Sequence, residues 1–449
     1  MSQHKVKIII IAHNEMALVK FQKENILLFS KCSESDIIIV DNGSNDGLSE
    51  WLIQQSAMDY ILCDEGMEGY ASILNAVIDE FVQDEDILIM SPNLFMLPGS
   101  MEKLVDLLYT KEQVGAVCAN TVKSQEKEEM NFSTALEYVK KLENTGEIDS
   151  IIGLPERGVL IKNEMLRTLH NFDESLILPK STLVDYSFRG VDHKYEYIKL
   201  QDNCFYEITS KQDAYSQKIG VEVDRKRLKE KWEMNYFNDT PNNMLLSMIE
   251  NDSTEEFSVL EVGCDCGVNL LALKNKYHKA HLYGVEVNES AAHIASHIAQ
   301  VQLANIEDGV LQFENVKFDY IIFGDVLEHL RDPKATVQYC RSLLKEDGKI
   351  LASIPNIMHY SVMRSLLNGD FTYTDMGLLD KTHIHFFTYN EIMRLFNETG
   401  YTIEKINFVT NSGISQGDKD LVNQLLSISN GVDEFMYYAF QFLVKAGKA

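Results

Sequence analysis

Two glycines and a glutamate in the C-terminal half have the types and spacing of a nucleotide-binding turn. The segment VLEVGCDCGVNLLAL (259–273) predicts a strand, a turn with Gly263 and Gly267, and a helix. Glycines let the backbone turn tightly and approach a ligand, and the helix N-terminus offers free N–H groups. About 20 residues later, LYGVEVN places Glu286 at a strand end, where a carboxylate can bind both hydroxyls of a ribose. A generic turn of the same shape without a nucleotide is the alternative.

Three histidines in the same half could act in general acid–base catalysis. His329 lies in DVLEHLRDP, just after a predicted strand, and His383 and His385 lie in KTHIHFF. Residues two apart on an extended segment point to one face. Group transfer needs an oriented nucleophile and often a base with a pKa near neutrality. A structural role is the alternative for each histidine, and we predict no metal site because the sequence supplies no third ligand.

Polar turns also follow the predicted strands of the N-terminal half. In DILIMSPNLFMLPGS (86–100) a buried strand delivers the turn Ser91-Pro92-Asn93. In many enzymes such a turn carries an aspartate that holds a metal, because Mg²⁺ or Mn²⁺ needs a hard anionic oxygen. Asn93 supplies only a neutral carbonyl, which makes a metal at this turn doubtful.

Alternating strand and helix patterns must position these turns. Five β-branched runs between residues 6 and 120 alternate with helical segments, which predicts a parallel sheet covered on both faces. A charged, helical connector is predicted over 205–256, and the α/β rhythm restarts at 257. The runs at 401–410 and 433–447 predict an antiparallel pair at the edge of the second sheet. The expected domains are therefore 1–204 and 257–449, with the connector between them.

Composition excludes some classes of partner. The chain has 449 residues and a formal net charge of -27, which disfavours nucleic acid and anionic membrane surfaces as principal partners. Seven scattered cysteines do not suggest a disulfide framework, and no stretch approaches ~20 apolar residues. We expect a cytoplasmic protein without membrane insertion.

Five motifs, in order over 257–449, resemble the class I S-adenosylmethionine-dependent methyltransferases, especially the branch that methylates sugars and small metabolites. The motifs are VLEVGCDCG, GVEVN, FDYIIFGDVLEHLRDP, LLKEDGKILASIPN and DKTHIHFFTYNEIMRLFNETGY. The resemblance implies a Rossmann-like, seven-stranded sheet with a reversed last strand and S-adenosylmethionine as cofactor.

The same resemblance assigns cofactor-binding residues by position. They are Glu261, Gly263, Asp265, Gly267, Glu286, Asn305, Ile306 and Asp325. Glu261 and the two glycines would line the methionine and ribose part, Glu286 would hold the ribose, and the Asn-Ile pair would flank the adenine. Asp325 would close the pocket. Asp265 stands where many relatives have a second glycine, and Asn305 stands where aspartate is more common.

The N-terminal motifs resemble inverting glycosyltransferases of the GT-A fold (family 2), particularly rhamnosyltransferase-like members. The motifs are KIIIIAHNE, IIIVDNGSNDGL, EGMEGYASILNAVI and ILIMSPNLFMLPGS. The resemblance implies a second Rossmann-like sheet that binds a nucleotide-diphospho-sugar, with Mg²⁺ or Mn²⁺ where the metal turn is intact. The positions that it assigns to this ligand are His13, Glu15, Asp41, Asp46 and Asn93.

The chain departs from this second family at the catalytic acid pair as well as at Asn93. Aligning on Asp185 and Arg189 puts Thr182 and Leu183 where the pair should stand. Leucine cannot take a proton from an acceptor hydroxyl, although Asp185 or the nearby Asp192 could substitute. Loss of both groups favours a degenerate domain that binds a sugar or glycan, or serves as a dimerisation platform.

Three hypotheses for the whole chain follow. The first is a methyltransferase that acts on a sugar or glycan intermediate and carries a non-catalytic glycosyltransferase relative. The second is a bifunctional enzyme that transfers a sugar from a nucleotide-sugar donor and methylates the glycan. The third is a non-catalytic scaffold for glycan assembly, which the intact Gly263, Gly267 and Glu286 disfavour. The resemblance suggests a bacterial cell-surface polysaccharide as the setting.

Overall fold

The computed structural model describes residues 4–63, 69–123, 145–208, 214–234, 237–309, 311–313, 316–410 and 413–449. The chain divides into two compact units, Met1–Asp239 and Thr240–Ala449. Both have an α/β fold with one sheet each. No helix among the described residues is long and apolar enough to cross a bilayer.

The first unit contains a mixed sheet in the order β3-β2-β1-β4-β8-β6-β9-β5, with β7 paired to β9. Its strands are β1 Val6–Ala12, β2 Ile37–Asp41, β3 Asp59–Leu62, β4 Asp86–Met90, β5 Leu94–Met96, β6 Val114–Lys123, β7 Ile148–Ile151, β8 Val159–Ile161 and β9 Glu196–Glu207. Its α-helices are Met16–Phe29, Leu48–Ile53, Tyr70–Phe81, Ser100–Leu108, Asn163–Leu169, Pro179–Asp192 and Ala214–Trp232. A 3-10 turn spans Glu34–Asp36.

The prediction of a parallel sheet holds for only part of this unit. Strands β1 to β4 are parallel neighbours, and β2 and β4 are buried along their whole length. Strand β8 then runs antiparallel to β4 and to β6. Strand β8 is only three residues long and lies beyond residues 6–120, whose alternation predicts the parallel sheet. The hydrophobic pattern of those residues therefore does not indicate the reversal.

The helix Ala214–Trp232, which the sequence predicts as part of a connector, packs within the first unit. The Asp224 carboxylate accepts hydrogen bonds from the backbone N–H groups of Ile177 and Leu178 at 2.9 and 2.8 Å. At the end of the helix, Lys231 and Trp232 both bind Asp185. The predicted connector 205–256 is therefore divided between the two units. Their boundary along the chain falls between Asp239 and Thr240.

The second unit has the seven-stranded sheet that the sequence predicts, in the order β12-β11-β10-β13-β14-β16-β15. Its strands are β10 Phe257–Val262, β11 Ala280–Glu286, β12 Gln300–Leu303, β13 Phe318–Gly324, β14 Leu344–Pro355, β15 Tyr401–Val409 and β16 Gln441–Lys448. Its α-helices are Asn243–Leu246, Val268–Lys276, Glu289–Ala295, Pro333–Leu343, Tyr360–Leu367, Tyr389–Glu398, Gln416–Ile428 and Phe435–Tyr438. Short 3-10 turns span Ile306–Asp308 and Leu327–His329.

The expected antiparallel edge is confirmed. Strand β16 runs antiparallel to both β14 and β15 and lies between them. The run 433–447 begins with a short helix before this strand. The five remaining strands are parallel, so their carboxyl ends share one edge of the sheet. Ligands of open α/β sheets bind at that edge.

Candidate functional site

The turn after β10 has a backbone that requires glycine. Gly263 and Gly267 have φ angles of +66° and +83°, in the left-handed region. A Cβ on Gly263 would also lie 2.7 Å from Cγ2 of Val326. Asp265, with φ of 47°, is left-handed too. Aspartate tolerates that conformation better than most side chains, which explains how it replaces a glycine here.

The carboxylate of Glu286, at the end of β11, is held rigidly at the same edge. One oxygen accepts the backbone N–H of Asp265 at 2.9 Å. The other accepts those of Val287 and Asn288 at 2.8 and 2.9 Å. These bonds fix both oxygens, and the oxygen that accepts only the Asp265 N–H keeps a lone pair for a ligand hydroxyl.

Glu261 is a buried carboxyl group that lacks a full set of partners. Its side chain is 2% exposed, and one oxygen accepts a 2.7 Å hydrogen bond from Asn269. The other oxygen has no partner within the described structure. Burial, together with the charges of Asp265 and Glu286, raises the pKa of Glu261 to about 8. Burial and Glu286 also raise the pKa of Asp265 to about 6. Three acids in this arrangement favour a cationic ligand.

A cavity of about 560 Å³ opens in front of these acids. The sequence-predicted residues that line it are Gly263, Asp265, Asn305, Ile306, Asp325 and His329. Glu261 and Glu286 are not among the lining residues, but Glu286 is hydrogen-bonded to Asp265, which lines the cavity. A second hollow, of about 420 Å³, lies beside Ala280 and Gln300 at the amino ends of β11 and β12. Open α/β sheets bind ligands at the other ends, so the first cavity is the candidate site.

Asp325 and Asn305 both line the cavity but adopt different local structures. Asp325 follows β13 with a left-handed φ of 57° and accepts hydrogen bonds from Ser353 and Gln441. The Asn305 side chain accepts the backbone N–H of Glu307 and so begins a 3-10 turn. Their assignment to the cofactor stays a prediction.

Two of the three predicted histidines come together at the rim of the cavity. The rings of His329 and His383 have centroids 4.8 Å apart. Nδ1 of His329 lies 3.1 Å from the carbonyl oxygen of Thr382, and Nδ1 of His383 lies 3.3 Å from that of Leu378. His385 instead directs Nε2 to the carbonyl of Arg331 at 3.2 Å. His383 and His385 therefore bond different backbone carbonyls.

Glu328 joins this histidine pair, and sequence reasoning missed it. The residue is 1% exposed, and neither carboxylate oxygen has a hydrogen-bond partner within the described structure. Oε1 lies 3.9 Å from Nε2 of His383. The sequence feature that could have indicated Glu328 is its place beside His329 in the turn after β13, where packing does not require a charge.

Hydrogen bonds link the polar turns of the first unit to one another, and most of their groups are used internally. Asp46 accepts the backbone N–H of Met16 at 2.7 Å. Asp41 accepts that of Ser44 at 2.8 Å and also the hydroxyl of Ser49. His13 bonds the carbonyl of Asn42 at 2.8 Å. Glu15 lies in the same region, where burial raises its pKa.

Asn93 is satisfied within its own turn. It is 5% exposed, its carbonyl accepts the Ser91 hydroxyl at 2.7 Å, and its amide donates to the carbonyl of Ile208 at 2.9 Å. An aspartate here would bring a negative oxygen against that carbonyl. The side chain is therefore part of the internal hydrogen bonding of the unit.

The positions expected for a catalytic acid pair are in the core. Thr182 and Leu183 are both fully buried, and the threonine hydroxyl bonds its own helix at Leu178. Asp185, offered by the sequence as a substitute, is fully buried and bound to Arg189 at 3.1 Å, to Lys231 at 2.7 Å and to Trp232 at 2.9 Å. Asp192, the other substitute, is exposed at the last position of this helix.

Comparisons with known proteins match both halves. A family model described as a methyltransferase domain matches residues 225–406, and one for glycosyl transferase family 2 matches residues 7–166. The ubiquinone biosynthesis O-methyltransferase of Coxiella burnetii is 29% identical over 120 residues, which make up 26% of this chain and 50% of that protein. The protein of the same name from Idiomarina loihiensis is 28% identical over 202 residues, 42% of this chain and 81% of the relative.

This chain thus spans about half the length of the Coxiella relative. Among solved structures, a SAM-dependent methyltransferase from Archaeoglobus fulgidus is 16% identical, with a TM-score of 0.32 and coverage of 53% of this chain and 100% of that one. The chain therefore joins a glycosyl transferase family 2 domain to a methyltransferase domain.

Proposed function

We propose that this chain is an S-adenosylmethionine-dependent methyltransferase that acts on a hydroxyl of a sugar or glycan, and that its family 2 domain does not transfer sugar. The observation that carries the proposal is the buried acid Glu261, with an unpartnered oxygen and with Asp265 and Glu286 beside it. Such a site suits a ligand with two positive centres, an ammonium and a sulfonium. The methyltransferase family match supports the same cofactor.

The residues present fit this cofactor. The cavity borders the glycine turn at Gly263, where a Cβ would press on Val326. Asp265 and, once it loses its proton, Glu261 provide negative charge, and Glu286 offers a fixed oxygen to a ribose hydroxyl. When bound, S-adenosylmethionine supplies an electrophilic methyl group. His329 borders the cavity, which supports a role for it in orienting the acceptor hydroxyl.

We infer the class of methyl acceptor from the presence of both domains in one chain. A family 2 glycosyltransferase domain in the same chain supports a sugar or glycan as the molecule methylated. Relatives named O-methyltransferases support oxygen as the acceptor atom. A panel of sugars and short glycans, assayed for transfer of a labelled methyl group, tests this part of the proposal. Transfer to quinone or phenol acceptors alone would contradict it.

We expect the affinity for S-adenosylmethionine to rise with pH. The free site holds a proton on Glu261, whose pKa is raised to about 8, and a cationic ligand favours the ionised form. Binding therefore releases a proton, and below that pKa the affinity should gain up to about tenfold per pH unit. Calorimetry at several pH values, in buffers of different ionisation enthalpy, measures both effects. A pH-independent affinity, equal to that of Glu261→Gln, would contradict the assignment.

We expect the first domain to release no sugar from nucleotide-sugar donors, with or without Mn²⁺. Asn93 makes two internal hydrogen bonds, Leu183 is in the core, and Asp185 is held by Arg189, Lys231 and Trp232. A panel of donors, read by sugar release, tests this expectation. Metal-dependent turnover that Asp41→Ala abolishes would establish the bifunctional alternative instead.

A further inference from the structure

Glu328 poses a problem that the proposed methyl transfer does not solve. The residue is 1% exposed, and both of its carboxylate oxygens lack a hydrogen-bond partner among the residues that the structure describes. Burying such a carboxyl group costs free energy unless a cation or a hydrogen-bond donor faces it. Neither the cofactor acids nor the packing of the sheet explains why an ionisable group stands here.

The two histidines beside it are oriented in the way that metal ligands are. In each ring Nδ1 faces a backbone carbonyl, which can only accept, so Nδ1 carries the proton. Nε2 of a neutral ring is then left with a lone pair. Histidines that bind metals almost always donate their other N–H to such an acceptor, which fixes the tautomer and the ring.

Main-chain hydrogen bonds hold the three side chains together. The carbonyl oxygen of Glu328 accepts the backbone N–H groups of Ile384 and His385, both at 3.0 Å. The segment that carries His383 is thereby fastened to the turn that carries Glu328 and His329. One ligand atom from each of these three residues lies within 4.8 Å of the others. Ligand atoms around a tetrahedral ion lie about 3.3 Å apart, so modest side-chain rotations would close the site.

We infer that Glu328, His329 and His383 bind a divalent transition metal ion at the rim of the cavity. Two imidazole nitrogens and one carboxylate oxygen suit Zn²⁺, Co²⁺, Mn²⁺ or Fe²⁺ better than Mg²⁺ or Ca²⁺, which prefer oxygen ligands. His329 borders the cavity, so the open positions of the ion face it. On the proposed function, those positions would take the acceptor hydroxyl and lower its pKa. Nε2 of His329 is then a ligand, and the proton leaves to solvent.

The test uses the full chain, freed of any affinity tag and stripped of metal, and titrated with Co²⁺. We expect one Co²⁺ per chain and visible absorption bands typical of nitrogen and oxygen ligands. Glu328→Gln and His383→Gln should each weaken binding by at least tenfold. The matched control is His385→Gln, on the same segment but bonded to Arg331, which should keep the wild-type affinity. Circular dichroism verifies that each variant is folded.

Each outcome decides the inference. Absence of stoichiometric Co²⁺ binding by the wild-type chain overturns it, as does equal binding by Glu328→Gln and His383→Gln. Binding of S-adenosylmethionine, measured separately, tests the proposed function. If the cofactor binds and Co²⁺ does not, the metal site is wrong and the methyltransferase proposal stands. If Co²⁺ binds and the cofactor does not, the reverse holds.

Discussion

Replacing Glu286 by alanine is expected to weaken the binding of S-adenosylmethionine by roughly 100-fold or more. A ribose hydroxyl that donates to this carboxylate contributes about 1.5–3 kcal/mol, and in the variant the bound cofactor would also bury the N–H groups that the carboxylate now satisfies. The backbone N–H groups of Asp265, Val287 and Asn288 already hold both oxygens in place. Binding therefore costs little conformational entropy at this side chain. Isothermal calorimetry with the whole chain gives the affinity.

The control for this experiment lies three residues further along the chain. Glu289 is exposed in the first turn of the following helix, and Glu289→Ala should bind the cofactor like the wild type. Glu286→Gln keeps the shape of the side chain and loses its charge, so it separates loss of affinity from loss of the fold. Wild-type affinity in both Glu286 variants would remove the cofactor assignment.

Replacing Glu261 by glutamine is expected to stabilise the ligand-free second unit and to weaken cofactor binding by about 10- to 100-fold. The folded pKa of Glu261 is about 8, above its ordinary value of 4.5. The folded state therefore holds a proton that the unfolded state loses, and stability falls as the pH rises from 4.5 to 8. Glutamine does not titrate, and its carbonyl can still accept the Asn269 hydrogen bond.

The gain in stability should thus be absent near pH ~4 and largest above pH ~8. Calorimetric melting distinguishes the two units, since only the second should shift upward with added S-adenosylmethionine. The melting temperature of that transition, compared between wild type and Glu261→Gln at both pH values, gives the measurement. Equal stability at high pH would mean that Glu261 does not carry the proposed penalty, and its place in the cofactor site would lose its main support.

The cofactor half of the site could be predicted from sequence because its residues are local to strand ends. Gly263 and Gly267 follow β10 directly, and Glu286 ends β11, so their positions depend only on neighbouring parallel strands. The rim could not be predicted in the same way. Glu328 and His383 lie far apart in sequence, and tertiary hydrogen bonds, such as those to the Glu328 carbonyl and from His329 to Thr382, bring their segments together.

The first unit shows the opposite difficulty. The helix Ala214–Trp232 has so many exposed charges that its sequence is typical of a solvent-exposed connector. The helix is joined to the rest of the first unit by hydrogen bonds and an ion pair of three side chains, Asp224, Lys231 and Trp232. The hydrophobic periodicity of the sequence cannot indicate such contacts. For the same reason it does not predict the pairing of Asp185 with this helix.

The place of β16 in the second sheet has a consequence for folding kinetics. This strand pairs with both β14 and β15, as in the pairs of Gly447 with Lys349 and with Thr402. Strands β10 to β13, which build the cofactor edge, pair with partners nearer in the chain than β14 and β16 are to each other, and such contacts form faster than more distant ones. The cofactor edge is thus able to assemble while β14 still presents an unpaired side. An unpaired strand edge promotes aggregation, so substitutions that weaken β16 should lower the yield of folded chain before they affect its affinity for the cofactor.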